Sequence, residues 1–517
     1  MIEIIEKVNG TINSAVWGWP ALILLGFVGV LMTVLTKVFQ IGHIGHWFKN
    51  TIGAIFGDRK ITKHTKDKSI SQFQSLCTAL AATVGTGNIV GVASAIAVGG
   101  PGAVFWMWII AFFGMMTNYS ENVLGILFRR KNNDGEWSGG AMYYLRDGLG
   151  GKKGCKWIGK ILAILFSIFC LLASFGIGNM SQVNSMVGNI TNAFNIPTLT
   201  TPDGSSLAPQ FLVGVFILIA VCLVVVGGLK RIASFTEKIV PFMVVLYVIG
   251  AFIIIGKNYA NIPAAFVSIF KFAFNSQSVV GGATGFTVML AMKMGFKRGV
   301  FSNEAGLGSS VMVHSNSNVK EPVRQGMWGI FEVFADTIVV CTLTALTILC
   351  SGIFDLSTGV KMAEYANTAD SALMGEAFAT VFGSFGPKFV AIAIFFFAFS
   401  TVLGWSHYGT KAWEYLFGVK SAVIYRVIFV VMVLTGAIFE ATLAWDLSDT
   451  FNGLMMIPNL IGVLILCPLV VKCTKNYVDR KIRKKEGIVP MLSVIPEIQE
   501  AQLAEMLAEE AEEAAEA

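Results

Sequence analysis

The sequence predicts an all-α membrane protein, a five-plus-five inverted repeat behind one extra N-terminal span. Three observations carry that prediction. The 517-residue chain is 55% hydrophobic and only 14% charged. About eleven apolar runs are long enough to cross a bilayer, and two of them, five spans apart, are interrupted by glycine and threonine. A soluble domain of this length needs more charge to cover its surface, so lipid must cover most of this chain.

A hydrocarbon core of about 30 Å takes about 20 residues of helix. Runs that meet this lie near 15 to 36, 76 to 98, 104 to 128, 161 to 187, 211 to 228, 235 to 255, 270 to 294, 328 to 349, 378 to 403, 424 to 439 and 454 to 471. None alternates as a barrel strand does, and helices satisfy their own backbone groups in lipid. The first run, from Ala15, is long enough to span and lacks the pattern of a cleaved leader, so it is expected to be retained. The eight cysteines are scattered through apolar runs with no CxxC pair and read as small hydrophobes.

Charge assigns the sides. The 38 Lys and Arg exceed the 32 Asp and Glu by only six, but they segregate by loop. Lys49 to Lys68, Arg129 to Lys156, Lys230 and Arg231, Lys297 with Arg298 and Arg324, Lys411 to Arg426 and the run from Lys472 to Lys485 fall on one side. The loops 188 to 210 and 440 to 449 are poor in both residues. The positive-inside rule then predicts a multi-pass protein of the inner (plasma) membrane, with its N-terminus outside and its C-terminus cytoplasmic. The Ala/Glu-rich stretch 497 to 517 is expected to be a marginal helix or disordered, with a structural or solubilising role. The resulting organisation is residues 1 to 70 as the extra span and basic loop, 71 to 260 as the first repeat, 261 to 475 as the second and 476 to 517 as the tail.

The two interruptions carry the chemistry. In the first, Thr83-Val84-Gly85-Thr86-Gly87-Asn88-Ile89-Val90-Gly91, three glycines each cost a helix interior about 1 kcal/mol relative to alanine. Close packing would explain the glycines alone, whereas Thr83, Thr86 and Asn88 at membrane depth point to a binding segment. The second, Val280-Gly281-Gly282-Ala283-Thr284-Gly285-Phe286-Thr287, stands in the symmetric place. Unwound segments present amides at one half-helix and carbonyls at the other, so together they suit a zwitterion and a cation. Ser400 and Thr401, one turn after Phe397, offer hydroxyls that would complete a sodium site with the carbonyls of Ala81 and Val84. Hydroxyls on a helix more commonly bond back to their own turn. Gln182, in the polar cluster Asn179, Ser181, Gln182 and Asn184, is the candidate substrate contact, with interhelical bonding as the alternative.

From about residue 70 to 475 the chain resembles the alanine or glycine:cation symporters of the amino acid–polyamine–organocation superfamily. The resemblance rests on Ala82-Thr83-Val84-Gly85-Thr86-Gly87-Asn88-Ile89, Gly139-Gly140-Ala141-Met142-Tyr143-Tyr144, Gly178-Asn179-Met180 with Gln182, Phe301-Ser302-Asn303-Glu304-Ala305-Gly306-Leu307-Gly308-Ser309, and Phe399-Ser400-Thr401 before Gly404-Trp405-Ser406. It implies a leucine-transporter-like fold, transported sodium, and alanine, glycine or a similar neutral amino acid as cargo. By position, Thr86, Gly87 and Asn88 would grip the carboxylate, while Gln182, Gly282, Thr284, Gly285 and Thr287 would frame the amino group and side chain. Ala81, Val84, Phe397, Ser400 and Thr401 would hold sodium, and Glu304 would gate the inner side with Arg298 or simply cap a helix. The chain departs from the pattern after Ser309, where Ser310 to Ser317 replace an Ala-Pro and alanine-rich stretch, and after Ser406, where His407-Tyr408-Gly409-Thr410 lacks an expected acid.

No filter motif, no metal spacing, no nucleophile elbow and no nucleotide loop is present in the sequence, which argues against a channel, a membrane enzyme and a primary pump. Nothing in it suggests a nucleic-acid partner, and it leaves oligomeric state open. The competing reading is a proton-coupled carrier or an exchanger on the same fold, with glutamine or serine among its cargoes. Its intramembrane titratable candidates are Glu121, Glu332 and Asp336.

Overall fold

Low charge and long apolar runs produce long helices. The computed structural model describes residues 2–65, 68–197, 199–200, 206–275, 287–438 and 441–516. In chain order the helices used below are α1 (Ile2–Val16), α2 (Trp19–Leu35), α3 (Gln72–Thr83), α4 (Val92–Gly99), α5 (Gly102–Phe128), α6 (Lys156–Phe175), α7 (Ser181–Phe194), α8 (Pro209–Val225), α9 (Gly228–Lys257) and α10 (Ile262–Phe274). They continue with α11 (Val288–Asn303), α12 (Val311–His314), α13 (Pro322–Val333), α14 (Thr342–Cys350), α15 (Leu373–Phe382), α16 (Phe385–Phe417), α17 (Ala422–Ile438), α18 (Ala441–Tyr477) and α19 (Pro496–Glu516).

Among the described residues, eight helical stretches are long and apolar enough to cross a membrane: Glu6–Leu35, Gly102–Phe128, Lys156–Phe194, Gly228–Lys257, Pro322–Cys350, Phe385–Phe417, Val419–Ile438 and Trp445–Ile482. A ninth is the pair Gln72–Thr83 and Gly87–Gly99, bent by 50° at its break. The other two runs read from the sequence take the form of shorter apolar helices, Pro209–Val225 and Tyr259–Phe274. Exposed side chains such as Ile23, Phe27, Leu223, Phe252, Val267 and Val427 give the outside of the bundle its apolar surface.

Glycine brings the central helices together. On α11, a Cβ at Gly295 would lie 2.5 Å from the Ala103 carbonyl of α5. On α13, one at Gly326 would lie 2.6 Å from the Tyr119 ring and one at Gly329 2.4 Å from Asn122, again on α5. On α16, one at Gly404 would lie 2.7 Å from Ala82 of α3. Small residues at helix contacts are how helices pack closely where lipid offers no hydrophobic drive. The start of α3 is fixed by a capping box: Ser71 Oγ accepts from the Gln74 amide at 3.1 Å and Gln74 Oε1 accepts from the Ser71 amide at 3.2 Å.

Two sequence expectations change. The span expected over 270 to 294 is split, with residues 276–286 outside the described residues. Its first part, α10, is tied to the end of α14 and the loop after it: Asn261 Nδ2, just before α10, donates to the Cys350 carbonyl at 2.8 Å and Lys271 Nζ to the Ser357 carbonyl at 2.9 Å. Lys297 and Arg298 also leave the basic-loop set. Lys297 Nζ is 2.6 Å and Arg298 Nη1 3.3 Å from the carboxylate of Asp449, whose side chain is buried. Trp17 Nε1 donates to the Asp449 carbonyl at 2.8 Å. Asp449 stands 26 residues before Lys475 on α18, roughly 40 Å along the helix, so this pair sits toward the face opposite the basic loops. A buried carboxylate is held by cations rather than left bare, which outweighs the loop pattern here.

The tail is also better ordered than its composition suggests. Ser493 Oγ and the Val494 amide both donate to the Leu127 carbonyl, at 3.2 and 3.1 Å, and Lys320 Nζ lies 2.8 Å from Glu509 on α19. All eight cysteines are free.

Asp449→Asn leaves Lys297 and Arg298 facing a neutral group. It should cost roughly 3 kcal/mol and lower the thermal unfolding midpoint of the detergent-purified protein by several degrees. An unchanged midpoint would show that solvent, not Asp449, satisfies those cations.

Candidate functional site

The first break begins where a side chain takes a backbone donor. In an unbroken helix the Gly85 amide would donate to the Ala81 carbonyl. Here it donates to Asn88 Oδ1 at 2.9 Å. The Thr86 amide likewise turns away from Ala82 and donates to Gln182 Oε1 at 3.2 Å, joined by Thr86 Oγ1 at 2.9 Å. A π-helical turn, Gly87–Gly91, then leads into α4. Gln182 is held by its own Nε2, which donates to the Ile177 carbonyl at 3.0 Å.

The released Ala81 carbonyl finds new donors on α16. Thr401 Oγ1 donates to it at 3.0 Å and Ser400 Oγ approaches at 3.4 Å. Both hydroxyls also reach the Phe397 carbonyl, at 2.8 Å for Ser400 and 3.0 Å for Thr401. Two carbonyls and two hydroxyls therefore converge in a buried, uncharged cluster, with the non-helical Val84 buried at the end of α3. Hard neutral oxygens of this kind are ligands for a small monovalent or divalent cation, and the missing carboxylate favours the lower charge. Gly85 permits the approach: a Cβ there would be 2.4 Å from Thr401 Oγ1 and 3.1 Å from Gln182 Oε1.

A second break faces the first, at Glu304 to Ser310; of the stretch 280–287 that the sequence singles out, only Thr287 is among the described residues. Glu304, Gly306 and Gly308 have φ of +57°, +93° and +71°. The two glycines take this left-handed backbone at little cost, and a Cβ at Gly308 would stand 2.7 Å from Asn459 Oδ1. The end of α11 lies on the first break: a Cβ at Gly87 would be 3.1 Å from the Phe301 ring and 3.3 Å from Ser302 Cα. Gly282, Thr284 and Gly285 lie outside the described residues. Thr287 caps the start of α11, its Oγ1 accepting from the Leu290 amide at 3.1 Å, and is exposed. It is 14 residues from Phe301, roughly 21 Å away along α11, so the structure does not bring it to Thr86, Gly87 and Asn88.

Asp336 joins the breaks. Asn88 Nδ2 donates to Asp336 Oδ1 at 2.6 Å, while Ser302 Oγ and Thr337 Oγ1 each donate to Oδ2 at 2.8 Å. Asp336 is fully buried in a π-helical turn, Phe334–Cys341, between α13 and α14. Glu304 does not meet Arg298 as the gate expectation had it. Its carboxylate accepts from Ser309 Oγ at 2.5 Å and Trp405 Nε1 at 2.7 Å. Arg298 instead lies over the Phe301 and Trp445 rings, at 5.6 and 5.3 Å, and those rings stack at 5.2 Å above the first break. The close neighbours that sequence reading left out of the site are Phe301, Ser302 and Trp445. The block Phe301 to Ser309, with Gly306 and Gly308, is visible in the sequence as a signature, but it reads there as the end of the second broken helix and not as the break itself.

An interrupted pair of helices around a buried oxygen cluster, inside a bundle of apolar helices, is the architecture of a membrane transporter. The family model of the sodium:alanine symporter family matches residues 2–491, and the chain belongs to that family. It is 41% identical over 488 residues to the sodium/alanine symporter AgcS of Methanococcus maripaludis, covering 94% of this chain and 99% of that one. It is 34% identical over 490 residues to the probable sodium/glutamine symporter GlnT of Bacillus subtilis, covering 94% of each. It is also 34% identical over 493 residues to the putative sodium/proton-dependent alanine carrier protein YrbD of the same organism, covering 93% of each. The solved structure of MhsT with L-phenylalanine, a leucine-transporter-fold protein, superposes with a TM-score of 0.51 at 13% identity over 80% of this chain and 99% of that one. That likeness shows the fold.

Gly85→Ala should fold yet lose sodium-induced thermal stabilisation, because its Cβ enters the space of Thr401 Oγ1. A variant stabilised by sodium as strongly as the native protein would remove the oxygen cluster from ion binding.

Proposed function

We propose that this protein is a sodium-coupled symporter that carries a small neutral amino acid, alanine, glycine or a close relative, into the cell by alternating access. The observation that carries the reading is the redirected Gly85 amide, which leaves the Ala81 carbonyl beside two hydroxyls and a second carbonyl. Ala81, Val84, Phe397, Ser400 and Thr401 hold the sodium ion. Thr86, Gly87 and Asn88 grip the substrate carboxylate at the start of the turn that leads into α4, where the positive end of a helix dipole favours an anion; in the structure the Thr86 amide donates to Gln182 Oε1 and the Asn88 amide to the Gly85 carbonyl. Gln182, already bonded to Thr86, orients the amino acid, with Gly282, Thr284 and Gly285 as further contacts.

Coupling follows from shared backbone. The ion uses the carbonyl end of the break and the substrate its amide end, so ordering the segment for one lowers the cost of binding the other. The Phe301 and Trp445 rings and the Arg298 to Asp449 contact cover the break on one face. On the basic face, Arg129 donates to the carbonyls of Ser315 and Ser317, at 3.3 and 2.7 Å, and to that of Val319. The basic loops support a cytoplasmic position for that face at the inner membrane, with the N-terminus outside.

A second reading, proton coupling or exchange with glutamine or serine among the cargoes, is favoured by one feature. Asp336 is a fully buried carboxylate in contact with Asn88 and Ser302 of both breaks. The names of the YrbD and GlnT relatives agree with that range of ions and cargoes.

In proteoliposomes, labelled alanine should accumulate with an inward sodium gradient and not with potassium in its place. Equal, non-concentrative uptake in both salts would favour the second reading. The double variant Ser400→Ala with Thr401→Ala should raise the half-saturating sodium concentration about tenfold or more, equivalent to about 1.4 kcal/mol, while yield changes little. Equal loss of yield and uptake would make those hydroxyls structural.

A further inference from the structure

Where α6 begins, on the basic face, the surface holds a cavity of about 590 Å³ that neither the ion nor the amino acid uses. It lies between the first turns of α6 and the π-helical turn Tyr144–Leu149. Arg146 and Asp147 face it from the turn, and Lys156, Trp157 and Lys160 face it from α6.

The charges around this cavity do not cancel. Asp147 is the one acid among those residues, and it is already held twice. Arg146 donates to it from Nε at 2.8 Å and from Nη2 at 2.9 Å, and Arg130 Nη2 stands 2.6 Å away. Arg146 is steadied further by the Tyr143 and Tyr415 rings, at 5.3 and 5.6 Å. Lys160 Nζ lies 5.5 Å from the Trp157 ring, and among the described residues neither Lys156 nor Lys160 has an ion-pair partner. Arg130, Arg146, Lys156 and Lys160 against Asp147 make four cations to one anion, a surplus of three at one spot. A concave site with that surplus attracts an anion.

The rest of α6 says which kind of anion. Gly159, Ala163, Phe166 and Cys170 turn inward to the bundle, while Trp157, Ile158, Ile161, Leu165, Ile168 and Leu172 lie exposed along the outer side. Since α6 opens one of the stretches long enough to cross the bilayer, that outer stripe meets lipid chains. Trp157, 71% exposed, stands where indole rings gather at the membrane–water boundary. Lysines at such a helix end reach out toward the headgroups. The order along α6 is therefore cation, indole, aliphatic, which matches an anionic phospholipid from phosphate to acyl chain. A soluble anion would use the cations and leave the remainder without a partner.

We propose that this cavity binds the headgroup of an anionic phospholipid from the leaflet on the basic face, with its phosphate on Arg146, Lys156 and Lys160 and its chains along the outer stripe of α6. A guanidinium carries five donors, so Arg146 can take a phosphate oxygen while it holds Asp147. The phosphate joins α6 to the turn, and the turn is one side chain away from the second break. Tyr144 Oη donates to Asn459 Oδ1, and Asn459 Nδ2 donates to the Gly306 carbonyl at 2.8 Å. A ligand that needs both elements in place binds the folded form alone and stabilises it. The site requires only that the chain spans a membrane, whatever its cargo.

The test uses the full-length protein in a neutral detergent, titrated with dioleoyl phosphatidylglycerol or dioleoyl phosphatidylcholine. Bound lipid is counted by native mass spectrometry and the thermal unfolding midpoint is followed. Phosphatidylglycerol should raise the midpoint by several degrees and half-saturate at a concentration about tenfold or more below that of phosphatidylcholine. In Lys156→Gln with Lys160→Gln that preference should fall to less than about twofold, while the lipid-free midpoint stays put because both side chains are exposed. Lys153→Gln with Lys475→Gln removes the same charge from exposed positions outside the cavity and should keep the preference. An equal response of the native protein to both lipids would overturn the proposal. So would equal loss in the two variant pairs, which would show attraction to the basic face as a whole. Glycerol 3-phosphate matching phosphatidylglycerol would make the cavity a site for a soluble anion and overturn the lipid assignment. Selectivity for phosphatidylglycerol in a protein without sodium-driven uptake would uphold the site and contradict the symport reading alone.

Discussion

The structure depends on one diverted hydrogen bond. At membrane depth no water is available to replace a missing helical partner, so a freed carbonyl must be satisfied by protein or by cargo. Asn88 takes the Gly85 amide, and the Ala81 carbonyl is released four residues earlier. The hydroxyls of α16 stand in as donors, each already anchored on the Phe397 carbonyl of its own helix. On the proposed reading, a cation bound there would replace weak donors with a full charge, and the helix interruption that would be a defect elsewhere would serve as a binding device.

Asn88 has a second duty that makes the device responsive. Its Oδ1 faces the Gly85 amide and its Nδ2 faces Asp336, so one side chain joins the first break to the carboxylate that also holds Ser302. The helices behind it meet through glycines and leave no slack: α11 and α13 both press on α5, and α16 presses on α3. Displacement at either break must then be taken up by a rigid shift of packed helices, as expected for two-state gating.

Much of this was legible from sequence, for identifiable reasons. Low charge and run length predicted the helices, and the polar residues among the glycines at 83 to 91 predicted the first break correctly. The convergence of Ala81, Phe397, Ser400 and Thr401, and of Thr86 with Gln182, followed from placing those motifs against one another. The second break was harder. Local glycine density points to 281 to 285, which lie outside the described residues, while Glu304, Gly306 and Gly308 break the chain next to Gly87 because Asn459 and Trp405 receive them. Such tertiary partners leave no local trace. The same is true of Lys297 and Arg298, whose charges read as a cytoplasmic loop until Asp449, 151 residues after Arg298, is placed beside them.

The central claim is that ion and amino acid bind opposite ends of one interrupted segment. Equilibrium binding to the detergent-purified protein tests it most directly, titrating alanine at several fixed sodium concentrations and sodium at several fixed alanine concentrations. The account predicts that each ligand tightens the other, and by the same factor, because the coupling free energy belongs to the shared segment. Alanine affinity that is independent of sodium would contradict it.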